Sequence, residues 1–259
     1  MLRLYFMNLW YNFSDEGTKD ALYGMPVLAR LVGIDLPSEQ VPDSKRLKNL
    51  RHLLDENELA PNILDQVNDL LADKGLMLMD TTLIVSPHSI RNQDKPRDTE
   101  MDQAKKGKKW RFGMKMHISV DVISGLPHTT LGAAANVSDV AMAGQLLQSD
   151  DKIIFADAGY KGATKRTENE GKNVDWQVAH NRGQVKKLPE GEFKRLTQSA
   201  ERLKASVRAR EEYPCLTVRN PLGHRNTVYR GIAKNESQWR VLFPLANVYM
   251  IRKNVTARE

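Results

Sequence analysis

The strongest constraint on this chain is a single carboxylate in the middle of an apolar run. After Gly75 the sequence reads Leu76-Met77-Leu78-Met79-Asp80-Thr81-Thr82-Leu83-Ile84-Val85, and its apolar and β-branched residues predict a buried strand. An unpaired charge there would cost several kcal/mol, a large fraction of a domain's net stability, so Asp80 must be compensated. Before Gly75 the pattern is different. From Asp15 to about Leu71 apolar residues recur at helical spacing, as at Leu47, Leu50, Leu53 and Leu54, with breaks around Pro37 and Pro42-Asp43. Residues 1–72 therefore read as a small helical region. Within it, Asp43 or Ser44 caps a helix that carries Arg46, Lys48, Arg51 and His52. A core-supporting helix with a wet basic face and a DNA-reading helix both fit that pattern, and the first is the commoner arrangement.

Beyond the first strand, residues 86–109 are rich in Pro, Asn, Asp and Lys and are expected to form an exposed loop. Phe112 to Asp121 alternates Lys115, His117 and Ser119 with Met114, Met116, Ile118 and Val120. Ser124-Gly125 turns the chain, and His128 to Ala133 runs back as a hairpin partner. Ser138 and Asp139 open a helix, and Lys152 to Ala156 is a short strand that ends in Asp157. This order of elements predicts an α/β fold with a mixed sheet. Residues 164–190 read as an insertion, with a candidate strand at Val174-Asp175-Trp176-Gln177-Val178. Glu192 to Glu212 has helical periodicity and is expected to stop near Tyr213, because Pro214 disfavours helical geometry in the residue before it.

Charge and cysteine content narrow the function classes. Lys and Arg total 39 against 32 Asp and Glu, a net charge of +7, which suits a polyanionic partner. Five of those cations and an aromatic crowd into Lys105-Lys106-Gly107-Lys108-Lys109-Trp110-Arg111. The run suits tracking of phosphates, with Trp110 as the best stacking candidate, and a solvated charged loop accounts for it equally well. The lone Cys215 leaves no internal disulfide or cysteine-based zinc site, making the reducing cytoplasm the default compartment. No apolar run is long enough to span a bilayer, and the apolar start lacks a small-residue cleavage site, so neither membrane insertion nor a signal peptide is expected.

Asp157 joins Asp80 as a carboxylate in an unusual position. It closes a strand and meets Ala158-Gly159-Tyr160-Lys161-Gly162, whose glycines permit a sharp exit, and ligand sites gather at strand ends in α/β sheets. Glu212 falls at the far end of the expected helix, opposing its dipole, four residues after Arg208 on the same face. Converged, the three would make an oxygen-rich site for Mg²⁺ or Mn²⁺, and two such ions about 3.5–4 Å apart can drive in-line displacement at a phosphodiester. Taken singly, Asp80 also fits a buried structural acid, Asp157 a turn former and Glu212 a surface charge. His117 and His128 are expected to be structural or DNA-contacting, since hard ions prefer oxygen. Trp176 and Trp239 are expected in the core or at its rim.

The strand around Asp80, the run from Lys105 to His117, the motif Ala156-Asp157-Ala158-Gly159-Tyr160-Lys161-Gly162 and the helix Ala205-Ser206-Val207-Arg208-Ala209-Arg210-Glu211-Glu212 follow one another as in a known family. Together with Asp20-Ala21-Leu22-Tyr23, Leu50-Arg51-His52 and Tyr229-Arg230-Gly231-Ile232-Ala233-Lys234-Asn235, they make the chain resemble three-carboxylate (DDE) transposases of the insertion-sequence-five group. The resemblance implies an RNase H-like catalytic domain over 73–259 and a helical DNA-end-binding part over 1–72. It also implies Asp80, Asp157 and Glu212 as catalytic residues and metal ligands, holding two Mg²⁺ or Mn²⁺ ions. The implied reaction is cleavage of double-stranded DNA at the element's ends followed by strand transfer into target DNA, with a homodimer pairing the ends. Lys105, Lys106, Lys108, Lys109, Arg111, Lys115, Arg208 and Arg219 are the implied DNA contacts.

Three features depart from the family pattern. Members of the family usually begin a few dozen residues earlier with a basic helical segment, whereas Met1 here falls inside what resembles an internal helix, so a truncated DNA-end-binding part is expected over 1–72. The motif that usually reads apolar, Glu, His, Pro, aromatic and Arg is here Glu211-Glu212-Tyr213-Pro214-Cys215-Leu216, and the basic pattern over Asn220-Pro221-Leu222-Gly223-His224-Arg225 is altered. The doubled acid leaves Glu211 as an alternative to Glu212. A catalytically silent DNA-binding remnant is the competing expectation.

Overall fold

A computed structural model describes residues 1–71, 76–87, 98–149, 151–209 and 212–256, with side chains at 68–71, 76–78, 106, 182 and 251–256 left out of the description. Five helices come first: α1 (Leu2–Trp10), α2 (Asp15–Gly24), α3 (Pro26–Val32), α4 (Ser44–Glu56) and α5 (Leu59–Leu71). Local chemistry sets their ends. Ser14 caps α2 by accepting a hydrogen bond from the Gly17 N–H, with Asp15 and Glu16 in the first turn where the helix dipole favours them. Asp43, one of the two expected caps, accepts from Arg46 N–H at the start of α4. Helix α3 opens on Pro26 and ends at Gly33, whose φ of 80° a side chain would resist. An Arg51–Asp15 ion pair ties α4 to α2, and the same guanidinium lies over the Tyr229 ring.

The sheet is built from β1 (Leu76–Val85), β2 (Asp102–Lys106), β3 (Lys109–Asp121), β4 (Pro127–Ala134), β5 (Ile153–Ala156) and β6 (Asp175–Val178). Strands β3 and β4 pair antiparallel, β3 and β1 pair antiparallel, and β5 and β6 run parallel to β1. With α6 (Asp139–Leu146) crossing between β4 and β5, this is an RNase H-like mixed sheet, as the resemblance implies. The expected exposed loop over 86–109 is corrected in part. Residues 88–97 lie outside the described set, but 102–106 are strand, and the lysine run forms a hairpin in which Lys105 faces Trp110 and Lys106 faces Lys109. Gly107, at φ 64°, makes that turn.

Both faces of the sheet are covered. On one, Ile84, Met114, Met116, Ile118 and Val120 share a core with Leu4, Leu22, Leu47 and Leu64 of the N-terminal helices and with Trp239, Leu242 and Phe243 of α10 (Ile232–Thr256). On the other, Met79, Ile154 and Ala156 pack with Ala143 and Leu146 of α6 and with Tyr160 and Ala163. Strand β3 is therefore buried on both sides beyond Phe112, and His117 and Ser119 of its alternating polar set are fully buried.

Between the sheet and α10 lie α7 (Arg182–Lys187), α8 (Glu192–Arg208) and α9 (Glu212–Arg219). The single helix expected over 192–212 is corrected here. It stops at Arg208, and a second begins at Glu212 with Pro214 inside its first turn, where a missing N–H costs no intrahelical bond. Pro214 thus starts a helix rather than ending one. Asn235 fixes the entry to α10: its amide oxygen accepts from the N–H groups of Val228 and Tyr229, and its amide nitrogen donates to the carbonyls of Tyr229 and Gly231.

Candidate active site

Asp80 and Asp157 come together through strand register. Parallel pairing of β1 with β5 sets Leu76 against Ile153 and Met79 against Ala156, the last paired position, so Asp80 and Asp157 are the residues that follow it on the two segments. Alternation decides the face. Ile84 belongs to the larger core and Met79 to the smaller one, which puts Asp80 on the larger core's side. Phe155 packs on that side while Ile154 and Ala156 pack on the other, and Asp157 leaves the strand as the cap of the turn that follows. Both carboxylates are half-buried.

The chain turns sharply after Asp157 into a 3-10 turn, Ala158–Tyr160. The Asp157 Oδ1 accepts from the Gly159 N–H at 2.8 Å, which fixes its rotamer. A Cβ at Gly159 would fall 2.7 Å from Asp139 Oδ2 and 2.9 Å from Asp157 Oδ1. Glycine lets both carboxylates approach there, and any larger residue would push the Asp139 or Asp157 side chain aside. Sequence reasoning misses Asp139 as a neighbour of the site, and its one signal along the chain is that glycine two residues after Asp157.

Behind the pair, Thr81 links the two strands. Its Oγ1 lies 3.1 Å from the Tyr160 hydroxyl and 2.9 Å from His117 Nδ1. Asp139 stands 3.9 Å from the same imidazole nitrogen and receives a 2.9 Å bond from Lys115 Nζ, which also donates to the Val137 carbonyl. Burial lowers the His117 pKa to about 4, with Lys115 adding to the effect and Asp139 opposing it, so the ring is neutral at pH 7. Burial also raises the Tyr160 phenol well above its usual value. The Thr81 hydrogen bond opposes that shift, and the negative charges of Asp139, Asp80 and Asp157 add to it.

The third expected ligand, Glu212, belongs to a separate helix. Glu212 is exposed and opens α9, so the helix dipole favours it rather than opposes it, and Arg208 closes a different helix. Glu211 lies outside the described residues. Among the described residues, no group of three or more His, Cys, Asp or Glu side chains is gathered to hold a metal ion. Asp80 and Asp157 by themselves fit a hard divalent ion, since Mg²⁺ takes one or two carboxylates and completes its shell with water and substrate phosphate oxygens.

The expected DNA-contacting cations separate into groups. Lys105, Lys108, Lys109 and Arg111 are exposed on the β2–β3 hairpin, and the Lys106 side chain lies outside the described set. Lys115 is committed to Asp139. Arg208 folds back on its own helix, donating to the Lys204 carbonyl, and Arg219 Nη2 donates to the Leu83 carbonyl at 2.7 Å. Trp110 is 65% exposed, as a stacking residue must be, whereas Trp239, His117 and His128 are buried.

Residues 71–248 match the family described as Transposase DDE domain. No solved structure matches the chain.

Proposed function

The chain belongs to the Transposase DDE domain family, and on that premise we propose that it is a DNA transposase of the insertion-sequence-five group, cutting phosphodiesters at the element's ends and joining the freed strands to target DNA. The observation that supports this reading is the parallel register of β1 with β5, whose last paired position, Met79 with Ala156, is followed by Asp80 on one segment and Asp157 on the other. Asp80 and Asp157 would hold the divalent ion, Mg²⁺ or Mn²⁺, with Glu212 approaching from the start of α9 to complete a two-ion site. Such ions supply charge stabilisation at the phosphodiester and a lowered pKa for an attacking water. The Gly159 N–H keeps the Asp157 carboxylate oriented, and the Thr81–Tyr160 contact keeps the turn after β5 against β1.

The exposed hairpin cations Lys105, Lys108, Lys109 and Arg111, with Lys106, Arg208 and Arg219, would neutralise phosphates of double-stranded DNA. Residues 1–72 would serve DNA-end binding and 73–259 catalysis, and two copies would pair the two ends in the cytoplasm. No helix among the described residues is long and apolar enough to cross a membrane.

One observation favours the second reading, a silent DNA-binding remnant: among the described residues Glu212 joins no three-ligand group. The deciding experiment measures nicking and strand transfer on a labelled fragment carrying the element's ends, with Mg²⁺ or Mn²⁺, for the wild type and Asp157→Ala. Joining that needs the metal and is lost in the variant establishes the transposase reading. DNA binding without cleavage by either protein establishes the remnant.

A further inference from the structure

The start of α6 is not held by its own cap. Ser138 stands at the N-cap position and makes no side-chain capping bond, so the first turn takes its anchor from the sheet. Met114, Met116, Ile118 and Val120 of β3 point into the larger core, and alternation sends Lys115 to the opposite face, where α6 lies. There the Lys115 ammonium donates to the Val137 carbonyl at 2.8 Å and to Asp139 Oδ1 at 2.9 Å. The two bonds straddle the N-cap and clamp α6 to β3. Both side chains of the ion pair are half-buried.

The second oxygen of that carboxylate faces the turn that carries Asp157. A Cβ at Gly159 would stand 2.7 Å from Asp139 Oδ2, while Asp157 Oδ1 accepts from the Gly159 N–H. Gly159 is thus held between the two acids. Like charges this close would push the turn away from α6, and the Lys115 ammonium offsets the Asp139 charge. With one oxygen committed to Lys115, Asp139 acts as a wedge against the turn. Strand pairing cannot do that work, because the β1–β5 ladder ends at Met79 with Ala156. The Thr81–Tyr160 contact holds the far end of the turn, and the wedge holds the near end.

We propose that Lys115 and Asp139 are a positioning pair for Asp157: the ammonium pins the first turn of α6, and the Asp139 carboxylate sets the turn at Gly159 and through it the direction of the Asp157 carboxylate. The inference rests on the reading of Asp157 as a metal ligand and names what aims it. Neither member of the pair is itself a ligand. Lys115, which the resemblance implies as a DNA contact, has this inward task instead.

The test measures binding of Mn²⁺ alone, by the electron paramagnetic resonance signal of the free ion. The Gly159 amide resonance of the isotope-labelled, metal-free protein is the second readout, and thermal melting checks the fold. Asp139→Ala should weaken Mn²⁺ binding by about 10- to 100-fold, the loss usual when a partner of a metal ligand is removed. It should also move the Gly159 amide proton upfield as the bond to Asp157 loosens. If Asp139→Ala does not fold, the isosteric Asp139→Asn carries the comparison. Lys115→Met separates positioning from simple charge: removing a cation near the site would tighten Mn²⁺ binding by charge alone, whereas loss of the clamp should weaken it. Lys115→Arg, which can reach both acceptors, should restore binding close to that of the wild type. Tighter binding in Lys115→Met, or wild-type binding in the Asp139 variant with the Gly159 resonance unmoved, overturns the pair and leaves Asp157 as a ligand. A lowered melting temperature with unchanged Mn²⁺ affinity reveals a merely structural ion pair and overturns it as well. A wild type that binds no Mn²⁺, or binds it no better than Asp157→Asn, overturns the metal reading and the pair together.

Discussion

Acidification should destabilise this protein through His117, and the size of the effect can be worked from its position. The ring is fully buried in the middle of β3, and burial holds its pKa down to about 4, against about 6.5 in an unfolded chain. Between those values the unfolded state binds a proton that the folded state refuses, so stability is complete above pH 6.5 and drains away as pH falls toward 4. The linkage relation gives a loss of about 2 kcal/mol at pH 5 and about 3 kcal/mol at pH 4 from this residue alone. Urea unfolding at pH 7 and pH 5 should show that loss in the wild type and not in His117→Gln. Subtracting the two proteins cancels the carboxylates and His224, whose pKa burial also lowers. A second readout does not need the variant to fold: the His117 ring resonances, followed by NMR, should show no titration above pH 5. Equal pH dependence in both proteins, or a midpoint near 6.5 for His117, would refute the argument that desolvation outweighs the Asp139 charge.

Asp157→Asn should separate catalysis from folding. Asn caps a turn as well as Asp does, so urea stability should change by less than about 0.5 kcal/mol, while metal-dependent nicking falls by more than about 100-fold, beyond the loss usual for outer-shell partners. Asn235→Leu removes both acceptor and donor roles from a buried loop and should cost about 3 kcal/mol in chemical unfolding, since two N–H groups and two carbonyls lose their partner. Gly113→Ala would drive a methyl into the Ile84 carbonyl across the β1–β3 pair. It should cost about 2–3 kcal/mol, and because β1 carries Asp80, metal-dependent activity should fall with it. An unchanged midpoint in urea would show that the strand pair can move apart.

Features that depend on short-range chemistry are legible in the amino-acid order itself. The cap at Asp43, the hairpin of β3 with β4, and the strands ending at Ala156 and Val178 rest on side chains within a few residues of the backbone they govern. Helix α10 is not legible beyond its opening motif. Trp239, Val241, Leu242, Phe243, Leu245, Ala246 and Asn247 are buried around most of its circumference, and a helix enclosed by its neighbours has no wet face to impose a 3.6-residue period. The hairpin strand β2 is obscured for a related reason: exposed and charged, it reads as loop, and only pairing with β3 makes it a strand.

By itself, then, the sequence determined a mixed α/β chain, a carboxylate embedded in its first strand and another at the end of a later one, because burial cost and turn chemistry act on each residue where it stands. Tertiary structure alone decided which groups meet. Parallel register aligns the strand ends that lead into Asp80 and Asp157, packing on both sides of β3 decides that His117 is structural, buried and neutral, and the return of the chain along β1 collects Arg219 and Arg225 beside Arg111. Glu212 shows the limit most clearly. Its place at the start of a helix follows from Pro214, whereas its distance from the aspartates depends on how α8 and α9 pack, which no spacing along the chain encodes.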